Sequence, residues 1–301
     1  MLSAIGDMIE RIQISSSISN WREKLLKRTG LREYSFPRDI FKPTLFFGAY
    51  HIFDWLRVFL HFGNKTIFFC GRDILALKKS WVGRYLIKGG WFNARHICEN
   101  EIEHEALKKL GIESEIHPMI FDDPNKIEIS YKHSDKPRVW VCTHPKKSIK
   151  EYGVDTILKI ARELEDMEFH IYGIDEADYV LYYMELAPDC GKNLLMGYRQ
   201  SPNVFFHGLI PNEQFNEEIK NYQCGVRLNK FDGFSEVVAK NLLLGGYPIT
   251  MHIQYPEIDY ATDEGHLTEL LKKLKDMKKP NYESREYWFN KFENSLREVL
   301  K

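Results

Sequence analysis

Short apolar runs alternate with longer stretches of helical spacing along almost the whole chain. PTLFFGAY, KTIFFCG, ARHICEN and SEIHPMIF read as buried strands in the first half. HIFDWLRVFLHF and EIEHEALKKLGI carry apolar residues at i, i+3 and i+4, the period of a helix that packs one face. The second half repeats the scheme. RVWVCTH, EFHIYG, VFFHG and CGVRLN are predicted strands, and GVDTILKIARELED, NEQFNEEIKNY and EVVAKNLLL are predicted helices. SREYWFNKFENSLREVL closes the chain as an amphipathic helix. Residues 1–40 are expected to be helical and then loop-like, with the polar SSSISN leading into WREKLLKR. Strand–helix alternation of this kind implies an α/β protein whose parallel sheets are covered by helices. The polar, proline-containing DDPNKIEISYKHSDKP is the predicted linker between two such series.

Composition narrows the picture only a little. A chain of 301 residues, 44% hydrophobic and 28% charged, suits one large or two medium soluble domains. A formal net charge of −1 makes no demand for nucleic acid or an acidic membrane as partner. Five scattered cysteines (Cys70, Cys98, Cys142, Cys190, Cys224) never take metal-ligand spacing and read as reduced, mostly buried residues of a cytoplasmic protein. MLSAIGDMIERIQI carries Asp7 and Glu10 and lacks the apolar core of a signal peptide. No run approaches the roughly 18 apolar residues of a membrane span. LFFGAYHIFDWLRVFLHFGNK has an apolar stripe with Trp55, Arg57 and nearby Lys65. It fits burial against its own sheet or peripheral contact with a membrane, and burial is the expectation.

Candidate chemistry gathers at strand-to-helix junctions, which in a doubly wound sheet line the ligand-binding edge. The turn KFDGFS sets Asp232, Gly233 and Ser235 before a helix, whose first N–H groups and positive dipole end attract an anion such as a diphosphate. Gly245 and Gly246 then stop that helix. Lys146, Lys147 and Lys150 follow the strand RVWVCTH. Arg227 ends another strand, placed to pair with Asp232 or with a phosphate. His51 with Asp54, and Arg72 with Asp73, occupy two junctions of the first half, where a His or Asp can orient an acceptor hydroxyl or take its proton. Asn100 and Glu101 are weaker candidates of the same sort. No Ser-His-Asp or Cys-His arrangement stands out, and no metal site is spelled.

The stretch from Asn203 to Thr250 resembles the donor-binding segment of GT-B glycosyltransferases of the retaining "glycosyl transferases group 1" kind. Phe206, Gly208, Ile210, Pro211, Tyr222, Arg227, Asp232, Gly233, Ser235, Gly246, Pro248 and Ile249 carry the resemblance in order and spacing. It implies two Rossmann-like domains with an interdomain cleft, residues 1–135 on the acceptor side and 136–301 binding the nucleotide sugar, with a terminal helix that crosses back. It further implies metal-independent transfer of a sugar from a nucleotide diphosphate sugar, UDP- or GDP-linked, to a hydroxyl on a glycan, lipid-linked or protein acceptor, with retention and without a cofactor. Lys147 and Lys150 would hold the diphosphate, and the backbone of Ser235, Glu236 and Val237 would complete the cradle beside Asp232, Gly233 and Phe234. Leu209 would pack on the base, and His51 or Asp73 would act on the acceptor. The position usually held by a ribose-binding Glu is Asn241, or Lys240 with a one-residue slip. Glu236 and Lys240 are spaced i,i+4, so a helix-surface ion pair is their default. The departure at Asn241 keeps open a non-catalytic sugar-nucleotide-binding or scaffolding protein; a sugar-nucleotide epimerase is the other alternative.

Overall fold

A computed structural model describes residues 8–88, 94–143, 149–186 and 201–301, with backbone alone for 182–186. The chain divides into two compact units. The first comprises Met1–Pro124, Phe231–Phe234 and Phe289–Lys301, and the second comprises Asn125–Lys230 and Ser235–Trp288.

The first unit is built on six strands: β1 (Arg11–Ile14), β2 (Arg32–Glu33), β3 (Thr44–Phe47), β4 (Lys65–Phe68), β5 (Ala94–Cys98) and β6 (Glu115–Ile116). They run parallel in the order β2-β1-β3-β4-β5-β6. Its helices are α1 (Arg22–Thr29), α2 (Ile52–Phe59), α3 (Arg72–Lys79), α4 (Trp81–Lys88) and α5 (Glu101–Lys109). Parallel strands are covered on both faces, so they read as unbroken apolar runs rather than alternating ones. Neighbouring side chains of β3 show why. Phe46 packs on one face with Trp55, Ile67 and Leu77, while Phe47 packs on the other with Ile12, Leu25 and Phe68.

Three expectations for this unit are corrected. RIQI, expected to be helical, is β1, because Ile12 and Ile14 alternate into the core and the strand pairs with β3 from Arg11↔Thr44 to Ile14↔Phe47. SEIHPMIF contributes only the two residues of β6. Lys65, read as a cation near the apolar stripe, is buried, and its Nζ donates to the Val58 and His61 carbonyls at 3.1 and 3.0 Å. It adds to the His61 N–H already on the Val58 carbonyl and so ties down the chain at the end of α2.

The second unit holds β7 (Arg138–Cys142), β8 (Glu168–Tyr172), β9 (Val204–Gly208), β10 (Cys224–Arg227), β11 (Ile249–Met251) and β12 (Asp259–Ala261). They too are parallel, in the order β12-β11-β10-β7-β8-β9. The helices are α6 (Val154–Glu163), α7 (Glu176–Leu186), α8 (Asn212–Glu218), α9 (Glu236–Leu243), α10 (Glu264–Lys273) and α11 (Tyr282–Val299), the last continuing into the first unit from Phe289. This is the doubly wound dinucleotide-binding order, with the winding reversed between β7 and β10. The core lies under β7 and β8, where Val139, Val141, Phe169 and Ile171 meet Ile157, Ile160 and Ala161 of α6.

The carboxyl ends of these strands turn sharply. Gly173 follows β8 at φ 90°, and a Cβ there would lie 1.9 Å from the Thr143 carbonyl oxygen. Gly173→Ala combines a disfavoured backbone conformation with a backbone clash. It is expected to cost about 2–4 kcal/mol, read as a lower denaturant midpoint with an unchanged m-value.

Candidate active site

In a doubly wound sheet the ligand edge is found where the winding reverses. In the second unit that point lies between the loops after β7 and β10. Ile149 and Tyr152 of the first loop are buried, and Lys150 between them is exposed. Lys147 lies outside the described residues. Arg227, at the end of β10, sets its guanidinium 4.4 Å from the centroid of the Tyr152 ring, a cation–π contact that joins the two loops. After β10 the chain passes through the buried Leu228 and Asn229 to Ser235, the N-cap of α9. Its Oγ accepts the Val237 N–H at 3.2 Å. The first turn of α9 thus has one donor satisfied by its cap and further N–H groups that lack helical acceptors.

Other predicted donor residues separate into open and enclosed. Leu209 is 79% exposed, directly after Gly208 at φ 67°. Val237 is buried in the core with Trp140 and Tyr172. Glu236 pairs with Lys240 at 3.3 Å, as their spacing suggests. The lysine is no surface residue, however, because it is buried, donates to Asn216 Oδ1 at 3.0 Å and lies over the Phe215 ring. Asn241 is fully enclosed, and a Cβ on Gly246 would lie 2.4 Å from its Nδ2. Its amide makes no hydrogen bond among the described residues. Gly246 is required for this packing, since any side chain there would collide with the amide.

The first unit reverses its winding between β1 and β3, and the loops after those strands bring together residues far apart in sequence. His51, half-exposed at the start of α2, has Nε2 3.0 Å from Ser16 Oγ and Nδ1 2.9 Å from Asp54 Oδ2. The Nδ1 contact is a close approach rather than an aligned hydrogen bond. Asp54 is buried and also accepts Ser15 Oγ–H at 2.7 Å, the Tyr50 N–H at 3.1 Å and the His51 N–H at 3.3 Å. A Ser-His-Asp series is therefore present, contrary to the sequence reading. Ser16 had no signal of its own within SSSISN, and 35 positions separate it from its histidine. The arrangement orients an imidazole that can accept a proton from a hydroxyl.

Asp73 is placed differently. It is wholly buried, and its oxygens accept the N–H groups of Ala49 at 3.0 Å, Cys70 at 3.0 Å and Ile74 at 2.9 Å. It ties the loops after β3 and β4 together. Burial pushes its pKa up to about 7 despite those bonds. Glu99 and Glu103 adjoin it. Glu99 accepts the Phe234 N–H at 3.0 Å and the Met119 N–H at 3.3 Å, and Glu103 accepts the Glu99 N–H at 2.7 Å. Asn100 caps α5 and donates to the Asp232 carbonyl at 2.8 Å. The turn Phe231–Phe234 is thereby held in the first unit, where Gly233 packs so tightly that a Cβ would lie 2.0 Å from Glu99 Oε2. Burial raises both Glu pKa values well above the usual range, helped at Glu103 by the charge of Glu99 and at Glu99 by those of Asp232 and Asp73.

No protein-family model and no curated protein matches the chain. Solved structures do. TarM of S. aureus, in a mutant form with fondaparinux, α-GlcNAc-glycerol and UDP, aligns at TM-score 0.61 and 13% identity. The alignment covers 86% of this chain and 55% of that one, so the chain spans little more than half of TarM. The lipopolysaccharide outer core galactosyltransferase WaaB, in its apo form, aligns at 0.55 and 13% identity over 95% and 82% of the two chains. The chain has the GT-B fold. A UDP-forming α,α-trehalose-phosphate synthase of Burkholderia xenovorans shares it at TM-score 0.59 and 8% identity, over 94% of this chain and 75% of that one. At such identities the likeness is one of fold.

The buried acids make stability depend on pH with a definite sign. Groups whose pKa rises on folding stabilise fully below their unfolded value, and that stability is lost as pH climbs through the folded value. For Asp73 the window runs from 3.8 to about 7. His61 and His96, lowered to about 4 by burial, act oppositely between there and 6.5. A variant separates the two effects. Glu103→Gln is expected to match the parent in unfolding free energy near pH 4 and exceed it by about 1–2 kcal/mol near pH 8, read as a higher melting temperature there. Equal melting temperatures throughout would show that Glu103 bears no burial penalty.

Proposed function

We propose that the chain transfers a sugar from a UDP-sugar to an acceptor hydroxyl on a glycan, lipid-linked or protein substrate. The observation that carries this reading is the reversal point of the second sheet, where Lys150, Arg227 and the capped start of α9 adjoin the ends of β7 and β10. Cations and helix N–H groups are suited to the charge that grows on a leaving nucleoside diphosphate as the glycosidic bond breaks. The GT-B fold and the UDP bound in the TarM complex favour this donor over others. Lys147 is assigned to the diphosphate with Lys150, and Leu209 to the base. The positive charge these groups supply is the basis for proposing that transfer needs no divalent metal.

In the transfer, the bond between the anomeric carbon and the diphosphate oxygen breaks and a bond to the acceptor oxygen forms. The acceptor proton is assigned to His51, oriented by Asp54; Asp73 serves as the anchor of the neighbouring loops. The resemblance of Asn203–Thr250 to retaining enzymes favours retention of configuration. The His51–Asp54 contact is the observation that favours inversion, because direct displacement draws on a base at the attacking hydroxyl. The anomeric configuration of the product, read by NMR, separates the two. A second functional reading, sugar-nucleotide binding without catalysis, is favoured by the enclosed Asn241 at the position the resemblance gives to a Glu.

Thermal stabilisation by UDP-glucose, UDP-galactose, UDP-N-acetylglucosamine and GDP-mannose tests the proposal. One UDP-sugar, and UDP itself, should raise the melting temperature. Lys150→Ala and Ser235→Ala should each weaken that ligand by roughly tenfold. His51→Gln should leave donor affinity unchanged and lower the transfer rate by about 10²–10⁴-fold. No response to the whole panel overturns the proposal, and donor binding without turnover on any acceptor supports the second reading.

A further inference from the structure

In the second unit β9 and α8 are joined by Leu209, Ile210 and Pro211 alone, and Leu209 is the residue assigned to the base of the donor. Gly208, at φ 67°, turns the chain out of the strand with its N–H on the Ile174 carbonyl at 3.1 Å. None of the seven side chains of α8 is fully buried; Phe215 packs partly against Trp140 and Tyr172, and Ile219 enters the core just past the helix end. A helix of that length has little stability of its own. Its position therefore depends on what holds its last turn.

Glu218 ends α8, and a closed series of side chains runs out from it and back. Tyr172 Oη donates to Glu218 Oε2 at 2.6 Å, and the Tyr172 and Tyr222 hydroxyls are 2.6 Å apart. His170 Nδ1 lies 3.2 Å from Tyr222 Oη and 2.9 Å from His207 Nε2. His207 Nδ1 comes back to Glu218 Oε2 at 3.7 Å. The order fixes the protons. Tyr172 gives its proton to the carboxylate, so its oxygen receives that of Tyr222. The Tyr222 oxygen and His207 Nε2 then accept from the N–H on His170 Nδ1, which leaves the His207 proton on Nδ1, the side of Glu218. His170 Nε2 carries no proton and makes no hydrogen bond among the described residues. The Glu168 carboxylate 3.6 Å from it is held by Arg138 at 2.9 Å and Lys136 at 3.3 Å. Gln214 Nε2 adds a bond to Glu218 Oε1 at 2.9 Å. Burial alone would raise the Glu218 pKa, but the bonds from Tyr172 and Gln214 bring it below its ordinary value, so the group accepts as an ion. Burial lowers His170 to about 4 and lowers His207 as well, which keeps both rings neutral near pH 7.

We infer that Glu218 is a positioning residue for the base of the nucleotide donor, drawing the end of α8 onto β8 and β9 and so fixing the loop Leu209–Pro211. The series spans both arms of that loop. His207 precedes Gly208 on the strand side, and Glu218 closes the helix side. With three residues between the arms the loop has no slack, so pinning the arms sets where Leu209 stands. Bonds to a charged acceptor are among the stronger ones available for the task. The inference rests on the sugar-transfer reading, which supplies the base that Leu209 would meet.

Calorimetric titration of the full chain with UDP and with inorganic pyrophosphate separates the loop from the diphosphate cradle. Glu218→Ala should weaken UDP by about tenfold or more and leave pyrophosphate unchanged. In turnover the donor KM should rise while kcat stays the same. Tyr172→Phe, which deletes only the hydroxyl that Glu218 accepts, should reproduce the loss and serves where the alanine variant does not fold. Glu217→Ala, at the exposed neighbouring carboxylate, should change nothing. Without ligand, hydrogen exchange of the Gly208 amide should quicken by about tenfold in Glu218→Ala. Equal losses for UDP and pyrophosphate, or UDP binding that both Glu218→Ala and Tyr172→Phe leave intact, overturn the inference and spare the sugar-transfer reading. A parent chain that binds no UDP overturns both.

Discussion

Backbone donors released at the ends of parallel strands must find acceptors, and in the first unit buried carboxylates supply them. Asp54 serves the loop after β3, Asp73 joins that loop to the next, and Glu99 holds the turn Phe231–Phe234. A carboxylate suits the task because its two oxygens accept several N–H groups at once. Its removal from water opposes ionisation, and burial raises the pKa of Asp73, Glu99 and Glu103 above the usual carboxylate range. The orientation of His51 and the placement of the turn Phe231–Phe234 follow from these anchors.

Both units use one topological principle with different chemistry. Each sheet has a reversal point, and at each the loops carry the polar groups that the strands exclude. In the second unit those groups are a lysine, an arginine over an aromatic ring and a capped helix start, a set suited to anionic oxygen. In the first they are a serine, a histidine and an aspartate, a set suited to moving a proton. The two sets of polar groups thus lie in separate units, each with its own core.

Much of this order is legible in the chain because both sheets are parallel and their strands are unbroken apolar runs. The turn before α9 was legible for a similar reason, since Ser235 and Gly245 are local signals of a helix start and stop. What escaped was non-local or too short. RIQI has four residues, too few for a period to stand out against its surroundings. Ser16 acquires meaning only when β1 and β3 become neighbours. Around α2 the pattern was ambiguous in kind, because Phe53, Trp55, Leu56 and Val58 leave the helix apolar on nearly all sides. Periodicity then cannot say which side the sheet takes. Lys65 and Lys240 look like surface cations in sequence, yet both lie buried against acceptors supplied by other parts of their units.

The formal charge of −1 counts every acid as ionised. Burial raises the pKa of Glu99, Glu103 and Asp73 and so favours a less negative folded molecule than that count, while the lowered pKa values of His61, His96 and His170 act the other way near their ordinary range. Its isoelectric point is therefore set by the balance of these opposing shifts and not by the composition that gives 6.8. In native isoelectric focusing, the displacement of the folded band from that of the urea-unfolded form would read the net number of protons that folding takes up or releases.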